Sequence, residues 1–179
     1  VASGGTNAGN FLYGVRFTND TALSVTNITI SYTGEQWRNG ANGRTNILTF
    51  SYRKSFSPIN GSDSGNSFIW TPLPVLNFIT PTTNAVTTAL DGNNSTNRVI
   101  FAPVLFTSVT LAPGEEIFFR WYDIDDSPGA DHALAIDNVS LTFTTFTPPH
   151  TPPVFTQQPQ NATNNFHTTA TFTAAVSGF

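Results

Sequence analysis

The chain has 179 residues, of which 39% are hydrophobic and only 10% are charged, and it contains 16 Phe but no Cys or Met. Its net charge of −4 argues against nucleic acid as a partner, because phosphate binding requires clustered Lys and Arg. The lack of Cys excludes a disulfide framework and a thiol nucleophile, and no apolar run approaches the roughly 20 residues that span a bilayer.

Uncharged side chains supply most of the polar surface, because Thr, Asn and Ser are abundant and only 7 Lys and Arg are present. Thr suits the pleated, half-exposed face of a strand and Asn suits turns, so this composition predicts an all-β protein. Low charge, the lack of Met and a first residue that is Val suggest a processed chain with an extracellular or cell-surface location.

The first half of the chain contains short strand candidates that are separated by turn signals. They comprise residues 11–18, 23–33 and 46–54. In the second of them the apolar positions change phase at Thr26 and Asn27, which predicts a β-bulge, since one extra residue moves the following side chains to the other face. The apolar stretch at 67–78 carries Pro72 and Pro74, so we expect an edge segment rather than a central strand.

The second half of the chain continues this alternation of strands and turns. A short helical turn could form at residues 85–90, and strands are predicted at 99–106, 108–111, 116–122 and 138–145. Every second residue of the strand at 116–122 is large and apolar, and this face comprises Ile117, Phe119 and Trp121. The last strand repeats the pattern with Val139, Leu141 and Phe143 on one face.

The domain organisation follows from the spacing of the strands and from a proline-rich break. About nine short strands at roughly 10-residue spacing are typical of a β-jelly roll or β-sandwich, which we assign to residues 1–146. Residues 147–153 contain four Pro and form a stiff linker. Residues 154–179 alternate as a strand near their end, but they are too few to fold alone. A strand donated to a neighbour is one interpretation of this last segment.

Two stretches of the chain resemble bacterial protein families. The run Arg120-Trp-Tyr-Asp-Ile-Asp-Asp, with Leu134-Ala-Ile-Asp-Asn-Val after it, resembles the closing hairpin of a jelly-roll accessory module of large secreted bacterial proteins. This resemblance implies a non-catalytic part of a larger protein. The run Pro153-Val-Phe-Thr-Gln-Gln-Pro and the later Thr/Ala-rich strand are similar to the first strands of a bacterial immunoglobulin-like domain, which implies that residues 154–179 begin such a domain.

Acidic residues are concentrated around the turn before the last strand, because seven of the eleven lie between Glu115 and Asp137. Clustered carboxylates repel one another, and calcium, which takes six to eight oxygen ligands, would remove that repulsion. The sequence therefore predicts a site for calcium or another hard cation, with the candidate ligands Asp123, Asp125, Asp126, Asp131 and Asp137. The alternative is that these side chains cap turn amides, with Arg120 as a partner.

The candidates for catalysis in this chain lack their partners. His132 lies beside Asp131, but a lone His in an acidic turn is more often a surface residue than a general base. The run Ser62-Asp-Ser-Gly65 is similar to the nucleophile region of trypsin-like proteases, yet that family needs an upstream His and none precedes position 132. We therefore expect no catalytic residues and no enzymatic activity.

Trp37 is the Trp residue least typical of a core, because Glu, Gln and Arg surround it in the sequence. A contact with a ligand or partner is predicted there, and the face of its ring would suit stacking on a carbohydrate. The alternative is that Trp37 packs in the core, as most aromatic residues at period-two spacing do.

The predicted function is a non-enzymatic module for adhesion, surface display or carbohydrate binding within a larger secreted bacterial protein. Two alternatives stay open. The chain could be a structural subunit of an extracellular filament that adds its C-terminal strand to a neighbour. It could also be an accessory domain of a secreted nuclease or hydrolase whose catalytic residues lie outside this chain. The expected partners are other domains or subunits and carbohydrate, without nucleic acid or membrane insertion.

Overall fold

The computed structural model describes residues 10–40, 43–59, 69–124, 131–147 and 152–178. The chain divides into two compact units, residues 1–146 and 147–179. The first unit contains the strands β1 (Phe11–Thr18), β2 (Ser24–Asn39), β3 (Ile47–Ser55), β4 (Thr71–Pro72), β5 (Phe78–Ile79), β6 (Thr88–Ala89), β7 (Arg98–Leu105), β8 (Glu116–Asp123) and β9 (Ala133–Phe146).

These strands form two antiparallel sheets. In the first sheet β8 lies between β1 and β3, and the short strands β4 and β5 both pair with β3. In the second sheet β2 is central, with β9 along one edge and β7 and β6 along the other. The chain passes repeatedly from one sheet to the other, as jelly rolls do. The predicted all-β sandwich is therefore confirmed.

The core lies between the two sheets and is rich in aromatic side chains. Alternate residues of β8 point inward, so that Ile117, Phe119 and Trp121 are buried, as the sequence pattern predicted. The Trp121 ring packs at 5.3 Å from Tyr32 of β2 and at 5.2 Å from Phe50 of β3, measured between ring centroids. Each fully buried side chain of this size stabilises the fold by roughly 1.5–3 kcal/mol.

The predicted β-bulge in β2 is confirmed. The pairing of β2 with β9 changes register between Thr26 and Thr29, and Asn27 has φ 50°. A second bulge, in β9, was not predicted: Asn138 has φ 52°, and the register changes again between Ser31 and Thr33 of β2. Asn tolerates this left-handed conformation better than most residues do, which explains its use at both bulges.

Three other elements differ from the prediction, and the proline-containing stretch agrees with it. Strand β2 continues to Asn39 instead of ending at 33, because its last residues pair with both β9 and β6. The helical turn considered at 85–90 is wrong, since this region contains the two-residue strand β6. The proline-containing stretch does lie at a sheet edge, where Pro72 pairs with Ser51 and a 3₁₀ turn follows at Pro74–Leu76. Of the strand predicted at 108–111, only an isolated bridge between Leu111 and Val25 forms.

The second unit contains two short antiparallel strands, β10 (Val154–Gln157) and β11 (Ala175–Ser177). The strand that was predicted near the end of residues 154–179 thus forms only at Ala175–Ser177. Large apolar side chains of this unit are exposed, and they comprise Val154, Phe155, Phe166, Phe172 and Val176. Across all the described ranges of the chain, no helix has the length and hydrophobicity needed to cross a membrane.

Candidate functional site

An apolar groove runs along one side of the first unit, between β1 and β9. Two cavities of about 180 and 320 Å³ lie in it, and both are lined by side chains from these two strands. The cavities share Phe17 and Leu141, so they are adjoining parts of one groove. Its principal apolar lining residues are Tyr13, Val15 and Phe17 of β1 with Ile136, Val139, Leu141 and Phe143 of β9, over Ile117 and Trp121 of β8. We call this feature the β1/β9 groove.

The groove exists because the inward face of β9 is incompletely covered by the opposite sheet. Leu141 pairs with the buried Ile30 and therefore points between the sheets, and Val139 and Phe143 share its face. Nevertheless, Val139 is 43% exposed and Phe143 is 55% exposed. A strand placed beside β1 would cover both side chains, so the part of the sandwich that the structure describes has room for one more strand at this position.

Both strands that border the groove have an unpaired edge within the part of the chain that the structure describes. Here β1 pairs with β8 alone, and β9 pairs with β2 alone. Edge strands present rows of backbone N–H and C=O groups that can pair with another chain. The groove therefore offers hydrogen-bonding groups beside its apolar surface, and this combination suits an extended peptide.

The predicted cation ligands are found in different surroundings. Asp123, at the end of β8, and Asp131, just before β9, are both buried. Asp137 is exposed and occupies an outward position on β9, where it accepts the backbone N–H of Asn138 at 2.7 Å. Asp125 and Asp126 lie outside the described residues. Within the described ranges, no three His, Cys, Asp or Glu side chains are grouped so that they could hold a metal ion, and calcium binding stays a prediction.

Calcium binding at the acidic turn predicts a higher melting temperature with CaCl₂ than with EGTA, because a ligand that binds only the folded state stabilises it. At a calcium concentration about 100 times the Kd the stabilisation is about 2.7 kcal/mol, which corresponds to a shift of several degrees. The Asp125→Asn/Asp126→Asn double variant should lose the shift, and Asp20→Asn, in a separate exposed turn, should keep it. An unchanged melting temperature, with no metal detected by elemental analysis, would contradict the prediction.

Tyr13 lies between the acidic end of β8 and the groove, because its side chain is near Asp123 and also lines the larger cavity. Burial raises the pKa of the Tyr13 phenol above its usual value, and the nearby Asp123 carboxylate adds to this effect. The Tyr13 ring also stacks on Trp121, with 6.1 Å between centroids. This end of the groove therefore presents an aromatic surface that is formed by Tyr13 and Trp121.

His132 is fully buried, so its assignment as a surface residue is wrong. Its Nδ1 accepts the backbone N–H of Gly40 at 3.1 Å and lies 3.0 Å from Gln36 Nε2, and its Nε2 lies 2.8 Å from the carbonyl oxygen of Arg44. Because Nδ1 accepts, Nε2 carries the proton and donates to Arg44. The ring thus connects β2 to the segment after it, a structural contact that sequence spacing could not reveal.

Trp37, the predicted contact residue, lies near the end of β2 and is 42% exposed. Its indole N–H donates to the Glu35 carboxylate at 2.9 Å. The backbone of Gly92 packs against the ring so closely that a Cβ at position 92 would lie 2.5 Å from two ring atoms. Trp37 is therefore held in one orientation and remains partly accessible, and its contact with carbohydrate or another partner stays a prediction.

Arg120, the expected partner of the acidic turn, lies on the outward face of the first sheet. Its guanidinium is 4.1 Å from the centroid of the Trp70 ring, and its Nε donates to the Ser51 hydroxyl at 3.1 Å. Burial lowers the pKa of Arg120 from its usual value. The run Ser62–Gly65, which was considered as a protease motif, lies outside the described residues.

The resemblances drawn from the sequence stay predictions, because no family model, curated protein or solved structure matches this chain. A functional proposal therefore depends on the geometry of the chain itself. Among the described residues, the β1/β9 groove combines accessible apolar surface with two strands that each pair on one side.

Proposed function

We propose that residues 1–146 form a non-enzymatic module of a larger extracellular assembly and that this module joins a neighbour by accepting an added β-strand. The observation that carries the proposal is the β1/β9 groove. Val139 and Phe143 occupy the inward face of β9 and remain exposed, which is unusual for residues of a sandwich core. A surface of this kind is typical of an interaction site.

Strand addition would use both the strand edge and the apolar surface of the groove. The backbone of the incoming strand would pair with β1, and this pairing would extend the first sheet over β9. Its inward side chains would fill the two cavities and cover Val139 and Phe143. Main-chain hydrogen bonds supply affinity in this mode, and the pockets for alternate side chains supply specificity.

The expected affinity of one groove is modest. Burial of apolar surface contributes roughly 25 cal/mol per Å², so covering a few half-exposed side chains contributes several kcal/mol. Part of that gain is lost to the ordering of the incoming segment and to association itself. We therefore expect a Kd in the micromolar to millimolar range, which corresponds to about −8 to −4 kcal/mol, and stable assembly would require several such contacts.

The absence of enzymatic activity is part of this proposal. It is supported by His132, whose two ring nitrogens are engaged with backbone groups inside the fold. A general base must reach a proton of the substrate, and a fully buried ring in such a network cannot do so.

A direct test uses a fluorescently labelled peptide of alternating Thr and Val, which has the pattern of a strand with one apolar face. The full chain should bind this peptide, and the Val139→Asp variant should bind it at least about tenfold more weakly, because the carboxylate would be desolvated in the groove. Fluorescence anisotropy measures both affinities.

The matched control is Val86→Asp, since Val86 is an exposed apolar residue that does not line the groove. This variant should bind the peptide like the unmodified chain. Equal weakening in both variants, or no binding by the unmodified chain, would overturn the proposal. Thermal melting of each variant establishes that the fold is intact.

A further inference from the structure

We infer that the strand which enters the β1/β9 groove is residues 168–174 of a second copy of this chain, with Phe172 as the anchoring side chain. This inference rests on the proposed function, because it identifies the partner of that same groove. Three observations support it: the sequence pattern of the segment, its exposure in the structure and the low charge of both surfaces.

The segment has the pattern of a strand but is not part of one. Residues 168–174 read Thr-Thr-Ala-Thr-Phe-Thr-Ala, so Ala170, Phe172 and Ala174 share one face and Thr occupies the other. Thr is a residue of high β-propensity. Nevertheless, all seven residues are exposed and lie outside β10 and β11, and Phe172 is 61% exposed. The segment can therefore pair with another chain without breaking the strands of its own unit.

The sizes of the side chains in the segment suit the two cavities of the groove. A bulky ring flanked on the same face by two Ala residues would place one large side chain in the larger cavity and small ones on either side of it. At about 3.3 Å per residue the segment is roughly 23 Å long, and β1, with its eight residues, offers a comparable length. The Thr face of the segment would remain in solvent.

The two surfaces also match in charge. Residues 154–178 contain no Asp, Glu, Lys or Arg. The larger cavity is lined without charged side chains, and the smaller includes only Asp20. The segment would therefore bring no charged side chain into the groove, and it would approach a single charged lining residue, the exposed Asp20. This segment is thus a suitable ligand for the groove on chemical grounds as well as in side-chain size.

The resulting contact is of the head-to-tail type, because the groove and the segment are different surfaces of the chain. Such contacts generate rings when the rotation closes and open filaments when it does not.

Sedimentation equilibrium of the full chain over a wide concentration range tests the inference. The unmodified chain should associate, and both Phe172→Asp and Val139→Asp should weaken association about tenfold or more. The control is Phe166→Asp, because Phe166 is an exposed aromatic residue of the same unit that lies outside the proposed strand. This variant should associate like the unmodified chain.

A mixing experiment tests which surfaces meet. The Val139→Cys variant is mixed either with Ala170→Cys or with the control Ala162→Cys, and each mixture is treated with a short bismaleimide cross-linker. The native chain has no Cys, so only the introduced residues can react. The 139–170 mixture should give several times more mixed dimer than the 139–162 mixture. Equal yields, a monomer at every concentration, or equal effects of Phe172→Asp and Phe166→Asp would overturn the inference. If the alternating peptide still binds in that case, the proposal that the groove accepts a strand is retained, and only the identification of residues 168–174 as that strand is wrong.

Discussion

Replacing His132 with Leu is expected to lower the free energy of unfolding by about 3–5 kcal/mol. The substitution removes the acceptor of the buried Gly40 N–H and the acceptor near the Gln36 amide, and it removes the partly buried hydrogen bond to the Arg44 carbonyl. Each buried polar group that loses its partner costs roughly 1–3 kcal/mol. Thermal melting should show a decrease of roughly 10–15 °C.

Two matched substitutions separate the loss of these hydrogen bonds from a general effect of removing a His. His132→Asn should retain part of the stability, because its side-chain oxygen can accept the Gly40 N–H in place of Nδ1. His167→Asn, at an exposed site with φ 63° that Asn tolerates, should change stability little. A His132→Leu variant that melts like the unmodified chain would contradict the buried network.

The second large effect is expected for Trp121→Ala, which should cost about 3–5 kcal/mol of stability. Trp121 is 2% exposed and packs against Tyr13, Tyr32 and Phe50, so its removal leaves a cavity where both sheets meet. Because Trp121 also forms the floor of the groove, the variant should bind the alternating peptide more weakly. Urea denaturation measures the change in the free energy of unfolding.

Trp37→Ala is the matched control, since it removes the same side chain from a half-exposed site. We expect a smaller loss, of about 1–2 kcal/mol, because Trp37 buries less apolar surface than Trp121 and one hydrogen bond to Glu35 is lost. Peptide binding should be unchanged, as Trp37 does not line the groove. Similar losses at positions 121 and 37 would show that the core assignment of Trp121 is wrong.

The features that the sequence predicted well are those that depend on local alternation. The inward face of β8 was visible as a period-two pattern of apolar residues. The bulge at Asn27 was visible as a change in the phase of such a pattern. The bulge at Asn138 left the same kind of signal, because Ile136 and Val139 are out of phase. It was missed because the strand was predicted to begin at 138, although pairing with β2 begins at Ala133.

The features that could not be predicted depend on contacts between distant parts of the chain. The apolar face of the last strand was identified correctly, but whether another strand covers Phe143 is decided by the facing sheet and not by local sequence. In the same way, His132 is buried because Gly40 and Arg44, about 90 residues earlier, close over it. The groove and the buried His therefore required the tertiary structure.

The central position of β2 has a consequence for the order in which this protein forms during synthesis. β2 is paired on both sides, and its partner β9 includes residues 118 positions later in the chain, as in the contact between Thr26 and Thr144. At a translation rate of about 5–20 residues per second, this separation corresponds to roughly 6–24 s. During that interval one edge of β2 lacks β9, and the second sheet is complete only after Phe146 has left the ribosome. Pairings of such long range also slow refolding, so a chain that is interrupted before β9 would leave one edge of β2 open to pairing with other nascent chains.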